Sequence, residues 1–342
     1  MTAEGSVVRV TSLSAETEPV SERPRGAQTR WGARAELVLS WTGAGLGLVM
    51  LFLWLPRNAT RVDVREMDLY VYYQTAVRLA HGQPIYTGPF VYPPMFAALI
   101  RPAAAMPLRV FQACWYVIMM GAFWAYATGL TRLAFGRLTL SRVLAAAALV
   151  ALTPGTNSIM GLGNIDLIIW ALVAWSLPAG AGLALAACLK VYPAVVAVAA
   201  VVRRPSTAWR QLGAATALVS FSLLLLGPGP FAEWLRSGAT PLPDCTLLPA
   251  NVSLSTGILR LLHVTDVRGG FARAIYIVVP AVLIGGTFWR TRRWTATAAG
   301  AAVLVATAWS APVCWSDWLP ILHIPLAVWL RHHLRLEPQR GA

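Results

Sequence analysis

Asp68 opens a segment whose apolar residues recur at the spacing of an α-helix. The apolar positions are Leu69, Tyr72, Tyr73, Ala76 and Ala80. This pattern predicts an amphipathic helix at a membrane interface, with its tyrosines at the level of the lipid headgroups. An aspartate at a helix start commonly caps the helix and complements its dipole. Its carboxylate could instead act as a general base that removes a proton from a sugar hydroxyl. Spacing alone favours the cap.

Lys190 is the single lysine among 28 basic residues, and it lies in a long apolar segment. A lysine in that setting must face water or an anion, because burying an unpaired charge in a membrane is costly. Two interpretations are open. Lys190 could bind the phosphate of a lipid substrate, or it could extend its side chain to the membrane interface. The use of lysine in a chain that otherwise relies on arginine favours phosphate binding.

Four further polar residues lie in segments rich in turn-forming residues. Tyr86 and Tyr92 stand beside Gly and Pro residues that mark tight turns. Each tyrosine could stack on a sugar ring or anchor the membrane interface. Asn251 and Asp317 each precede an apolar segment and could bind substrate or cap a helix.

The histidines and cysteines show no spacing typical of a metal site. Four carboxylates could converge, although nothing in their spacing requires it; they are Asp63, Glu66, Asp68 and Asp317. We therefore expect no cofactor, and a requirement for a divalent metal stays open.

The composition indicates a membrane protein. Hydrophobic residues make up 57% of the chain, charged residues only 12%, and the mean hydropathy is +0.60. Soluble domains carry about a quarter charged residues, so lipid must cover most of this surface. The net charge of +14 comes from arginines in short loops between apolar segments. Such loops are typical of the cytoplasmic side of membrane proteins and of contact with lipid headgroups, so we expect no nucleic-acid partner.

Apolar runs predict an all-α polytopic fold with about eight spanning helices and additional re-entrant or half-length helices. The runs lie near residues 36–55, 110–131, 138–154, 160–178, 180–202, 208–227, 271–289, 294–310 and 316–330. When every arginine cluster is placed inside, both ends of 180–202 fall on the cytoplasmic side. This run is therefore predicted to be a hairpin of two half-length helices that breaks at Lys190, and the loop 154–164 is predicted to enter a cavity.

We expect residues 1–30 to be a disordered cytoplasmic tail, 31–335 a single transmembrane domain and 336–342 a second cytoplasmic tail. This orientation places nearly all uncommon polar side chains on the outer face of the cell membrane, whereas the cytoplasmic loops offer no comparable chemistry. The predicted site is therefore extracytoplasmic.

Five segments, in this order, resemble glycosyltransferase family 87, which contains polyprenol-phosphate-mannose-dependent α-mannosyltransferases. They are Met67-Asp68-Leu69-Tyr70-Val71-Tyr72-Tyr73, Gly82-Gln83-Pro84-Ile85-Tyr86, Tyr92-Pro93-Pro94-Met95-Phe96, Lys190-Val191-Tyr192-Pro193 and Asn251-Val252-Ser253-Leu254-Ser255. The resemblance implies a GT-C fold, a polyprenyl-phosphate sugar donor, a glycan or glycolipid acceptor and inversion at the anomeric carbon. It also implies that Asp68 is the catalytic base, which reverses the preference for a cap.

Two segments differ from the family's patterns. The chain has Gly163-Asn164-Ile165-Asp166 where the family often has Gly-Gln-x-Asn, and Trp315-Ser316-Asp317 where it often has Trp-x-His. The resulting candidates are Asp68 as base and Lys190 for the donor phosphate. The candidates for substrate binding are Tyr72, Tyr86, Tyr92, Asn164, Asn251 and Asp317. Alternatives are a lipid-linked arabinose donor, or a lipid or sugar transporter, although transporters usually show internal repeats and we find none.

Overall fold

The computed structural model describes residues 30–61, 63, 67–177, 180–237, 247, 249, 251–311, 314 and 316–333. Every regular element of these residues is a helix, which confirms the all-α prediction. The predicted tail 336–342, and residues 1–29 of the other predicted tail, lie outside the described residues.

The α-helices of the described residues are numbered in chain order. They are α1 (Arg30–Val49), α2 (Leu55–Ala59), α3 (Asp68–Ala80), α4 (Pro94–Ile100), α5 (Leu108–Phe135), α6 (Leu140–Leu152), α7 (Thr156–Leu162), α8 (Asp166–Ser176), α9 (Gly182–Leu189), α10 (Pro193–Arg203), α11 (Ala208–Leu226), α12 (Gly229–Ser237), α13 (Leu254–Leu261), α14 (Gly270–Arg290), α15 (Ala296–Ser310) and α16 (His323–His333). A π-helical turn, Met50–Trp54, joins α1 to α2, and 3-10 turns cover Arg101–Ala105, Pro205–Thr207 and Ser316–Leu322.

Four helical stretches of the described residues are long and apolar enough to cross a membrane. They are Leu37–Ala59, Leu108–Phe135, Pro205–Leu226 and Gly270–Arg290. The bent pair α6 and α7 would make a fifth. The other predicted runs form shorter helices, which range from 8 residues in α9 to 15 residues in α15. The chain is thus a helical membrane protein. Helix length and composition identify four or five spans among the described residues, against a prediction of about eight.

The apolar run at 180–202 is broken where the sequence predicted. Helix α9 ends at Leu189 and α10 begins at Pro193. Lys190 follows α9 with extended backbone angles, φ −151° and ψ 131°. At about 1.5 Å per residue, α9 and α10 are about 12 and 16 Å long, so each is half-length for a bilayer. Helix α9 packs against α8 on one side and α10 on the other, which places Lys190 near the starts of both neighbours.

The segment predicted as a loop at 154–164 contains the short helix α7, which turns by 80° from α6. Gly163 follows with φ of +69°, a conformation that side chains with a Cβ rarely adopt. A Cβ there would also lie only 3.0 Å from the Leu69 side chain and 3.1 Å from the Trp115 indole. The Trp115 indole N–H donates to the Gly163 carbonyl at 2.7 Å. This glycine turn directs Asn164 toward α3.

Helix α1 packs closely against α6 through small residues. Ser40 donates its hydroxyl to the Ser141 carbonyl at 2.8 Å. Three residues later, a methyl group placed on Gly43 would overlap the backbone carbonyl of Leu144. The two helix backbones therefore approach each other at Gly43 as they do in small-residue membrane helix pairs.

Gly43→Ala is expected to destabilise the protein by about 1–3 kcal/mol, the usual cost of an overpacked contact, because a helix backbone cannot move aside as a side chain can. Thermal unfolding of the purified protein in detergent measures the effect. Gly45→Ala is the matched control, since a methyl group there meets nothing within 4 Å. Equal stability of the two variants would contradict the close packing of α1 and α6.

Candidate active site

Asp68 is the first residue of α3, and Met67 before it is the N-cap. Asn164 donates its side-chain N–H to Asp68 Oδ2 at 2.7 Å. Among the described residues, Asn164 is the single hydrogen-bond donor to the Asp68 carboxylate, and Asp68 Oδ1 accepts no hydrogen bond. Asp68 is half-buried. Its carboxylate is thus held by a distant segment and keeps an oxygen available, which differs from the helix-cap interpretation.

Burial raises the pKa of the Asp68 carboxyl above its usual range. The positive charge of Lys190 and the hydrogen bond from Asn164 lower this pKa in part, and the negative charge of Asp166 adds to the rise. A carboxylate with a raised pKa is a stronger proton acceptor, which suits a general base.

Asn164 connects two carboxylate residues. Its Nδ2 donates to Asp68, and its Oδ1 accepts the backbone N–H of Asp166 at 2.9 Å. These two contacts fix the orientation of the amide. The predicted substrate-binding residue Asn164 therefore lies beside the predicted base and positions it.

Lys190 forms an ion pair with Asp166. Its ammonium donates to both carboxylate oxygens at 2.8 Å. The Asp166 side chain is 0% exposed and that of Lys190 is 20% exposed. Sequence reasoning identified Lys190 but missed Asp166 as its partner. A sequence signal for this pair exists: Asp166 begins one short helix and Lys190 follows the end of the next. Two consecutive antiparallel helices bring the start of the first close to the end of the second.

Three aromatic rings surround the Lys190 ammonium. It lies 4.7 Å from the ring centre of Trp318, 5.6 Å from that of Tyr92 and 5.8 Å from that of Tyr192. These distances allow cation–π attraction. Trp170 donates its indole N–H to the Tyr192 hydroxyl at 2.9 Å, which holds that ring in place. The rings come from widely separated parts of the chain and form the apolar wall of the charged cluster.

Tyr72 is completely buried, so the prediction that the tyrosines of this helix lie at headgroup level is wrong for Tyr72. Its hydroxyl donates to the Tyr92 hydroxyl at 3.0 Å and accepts the Ile165 N–H at 3.3 Å. The half-buried Tyr86 donates its hydroxyl to the Tyr92 carbonyl at 3.0 Å. Tyr92 faces Lys190, while Tyr72 lies beneath the cluster and holds the loop that carries Asn164.

Asn251 is completely buried and lies in a different hydrogen-bond network. Its Oδ1 accepts the backbone N–H groups of Ser253 and Cys314 at 3.1 and 2.9 Å. Ser253 caps α13, as expected for a serine before a helix. Asn251 thus fastens α13 to the segment that leads to Trp318. The side chain of Asp317 lies outside the described part of the structure.

Among the described side chains, no group of three His, Cys, Asp or Glu residues is arranged to hold a metal ion. Glu66 and the Asp317 side chain, two of the four carboxylates considered from sequence, lie outside the description. The charged side chains that the structure brings together here are Asp68, Asp166 and Lys190.

The sequence profile of glycosyltransferase family 87 matches residues 90–316, about two thirds of the chain. The matched region contains Asn164, Asp166 and Lys190, whereas Asp68 precedes it. No curated protein sequence matches the chain.

Proposed function

The chain belongs to glycosyltransferase family 87, and we propose that this membrane glycosyltransferase moves a hexose, with mannose as the first candidate, from a polyprenyl-phosphate donor to a hydroxyl of a glycan or glycolipid acceptor. One observation carries the proposal: consecutive hydrogen bonds through Asn164 join the available carboxylate Asp68 to the Asp166–Lys190 pair. A proton acceptor and a cation thus lie in the same small cluster. Sugar transfer from a lipid phosphate uses both, one for the acceptor hydroxyl and one for the leaving phosphate.

The reaction proceeds by inversion at the anomeric carbon. The acceptor hydroxyl gives its proton to Asp68, and its oxygen attacks the anomeric carbon of the donor. The bond between that carbon and the phosphate oxygen breaks, and its electron pair leaves with polyprenyl phosphate. Asp68 ends the step protonated and returns its proton to water.

Lys190 is the residue that meets the donor phosphate. Two of its three N–H bonds point at Asp166, and the third has no partner among the described residues and is proposed to meet the incoming oxygen. A fixed donor aimed at the leaving oxygen stabilises the charge that develops there. Tyr92 and Trp318 lie against the same ammonium, so a sugar whose phosphate reaches Lys190 would come close to both. Asp317 immediately precedes Trp318 in the same turn and is the remaining candidate for binding the substrate.

The proposed topology places the cluster on the outer face of the cell membrane and both termini in the cytoplasm. Its support is the arginine-rich character of the loops at the opposite ends of the helices, including Arg137 between α5 and α6 and Arg292 between α14 and α15. The short helices α8, α15 and α16 then bring the four or five longer spans to about eight, and the half-length pair α9 and α10 forms a hairpin beside them. Impermeant thiol reagents applied to intact cells, with single cysteines at each loop, test this orientation.

Sugar transfer in membranes that carry the protein tests the proposed reaction. Radiolabelled polyprenyl-phosphate mannose is supplied first, and lipid-linked arabinose is supplied in a parallel assay. Label from mannose in a new glycan or glycolipid supports the hexose proposal, and label from arabinose alone changes the donor. Movement of intact lipid-linked sugar across vesicles, without transfer, would favour a transporter instead.

The pH dependence of transfer is expected to shift in opposite directions in two variants. Asp68 must be deprotonated to accept a proton, so the rate falls as the pH drops below its pKa. Asn164→Ala removes a hydrogen bond that lowers this pKa, so the acid limb moves to higher pH. Asp166→Asn removes a charge that raises it, so the limb moves to lower pH.

Initial rates measured across the acid range for wild type and both variants check this expectation. Tyr73→Phe serves as the control, because its hydroxyl donates to the Met106 carbonyl, away from the cluster. Shifts of both variants in the same direction would contradict the assignment of the acid limb to Asp68.

A further inference from the structure

The positive charge of Lys190 is neutralised by Asp166 before any substrate binds. Both oxygens of Asp166 accept from its ammonium at 2.8 Å. A phosphate that reaches Lys190 therefore meets a neutral ion pair and not an isolated cation. This arrangement limits how strongly the site can hold an anion.

The Asp166 carboxylate cannot easily move away from that position. Its side chain is 0% exposed, and its backbone N–H is held by Asn164 Oδ1. It is also the first residue of the 11-residue helix α8, where the helix dipole favours a negative charge. The negative charge thus remains beside any phosphate that binds Lys190.

We propose that Asp166 determines which lipid phosphate the site retains, by weakening the binding of released polyprenyl phosphate relative to that of the intact donor. This inference rests on the proposed function. The donor is a phosphodiester with one negative charge, whereas the product is a phosphomonoester with a charge of about −1.5 to −2 at pH 7. Repulsion by Asp166 therefore grows when the sugar leaves, and Asp166 promotes product release. Asp166 holds Lys190 and repels the phosphate from beside it without touching it, and is a positioning residue.

Direct binding of two lipids with the same tail tests the proposal on the purified full chain in detergent. The monoester is farnesyl phosphate and the diester is methyl farnesyl phosphate, both titrated by calorimetry at about pH 8, where the monoester carries nearly its full charge. Wild type is expected to bind the diester at least as tightly as the monoester, despite the larger charge of the monoester. Asp166→Asn is expected to bind the monoester at least tenfold more tightly than wild type and to change the diester affinity less than threefold.

Asp166→Glu, which keeps the charge, is the control and should show no gain in monoester affinity. A purely structural role of Asp166 would weaken binding in Asp166→Asn and could not produce a selective gain. Equal tightening of both lipids, or a wild type that prefers the monoester by tenfold or more, overturns the role of Asp166. The wild-type comparison decides the matter even if Asp166→Asn does not fold. If wild type binds neither lipid, the proposed function itself fails.

Discussion

Asp68→Asn is expected to lower the rate of sugar transfer by about 10²- to 10⁴-fold, the usual contribution of a general base. Asparagine has nearly the shape of aspartate but cannot accept the proton of the acceptor hydroxyl. The side chain is half-buried and hydrogen-bonds to Asn164 alone among the described residues, so the fold should persist. Transfer is measured with the labelled donor in membranes that contain equal amounts of each protein.

Asp63→Asn is the matched control for Asp68→Asn, since Asp63 is an exposed aspartate of the same segment. It should transfer sugar within about threefold of wild type, because surface substitutions have small effects. If Asp68→Asn retained a rate close to that of Asp63→Asn, Asp68 would not be the base.

Lys190→Ala is expected to produce the largest loss of stability among the variants considered. Removal of one partner of a buried ion pair typically costs about 3–5 kcal/mol. Here the residue left behind is Asp166, whose side chain is 0% exposed. Thermal unfolding of the purified protein in detergent measures the loss, and Arg273→Ala, which removes an exposed cation from α14, is the control.

The double variant Lys190→Met with Asp166→Asn removes both charges and should regain much of that stability. It should remain inactive in sugar transfer, because the phosphate has lost its cation. Recovery of activity in the double variant would show that Lys190 serves only to neutralise Asp166.

The sequence predicts the helical architecture where a single strong pattern is present. The break at Lys190 follows from a lysine and a proline near the centre of an apolar run. Those features act locally, so they can be recognised without knowledge of the neighbours. The structure places the break at the same residues.

Contacts between distant segments are harder to predict. Helical periodicity identifies the buried face of α3, but it cannot distinguish lipid from protein as the cover of that face. Tyr72 in fact packs its ring against Phe96 and Trp115, from α4 and α5. Asn251 is predicted to bind substrate or cap a helix, and its side-chain oxygen accepts the N–H of Ser253, a local contact typical of asparagine. It also accepts the N–H of the distant Cys314, which no local pattern indicates.

The candidate site is predicted in part. The family resemblance suggests Asp68, and the rarity of lysine suggests Lys190. The ion pair with Asp166 depends on how α8 and α9 pack, which is a tertiary property. In the sequence, Asp166 stands out as a departure from a family pattern and by its place one short helix before Lys190, and the structure shows the two paired.

The pairing of Asp166 with Lys190 also bears on how the chain enters the bilayer during synthesis. A single charged residue raises the free energy of inserting a membrane helix, by about 2.5–3.5 kcal/mol when it lies at the helix centre. Helices α8 and α9 are consecutive, and the charged atoms of the pair lie 2.8 Å apart. If α8 and α9 enter the membrane together, the two charges enter as a neutral pair. The order of these two helices along the chain thus brings the two charges together as soon as both helices are made.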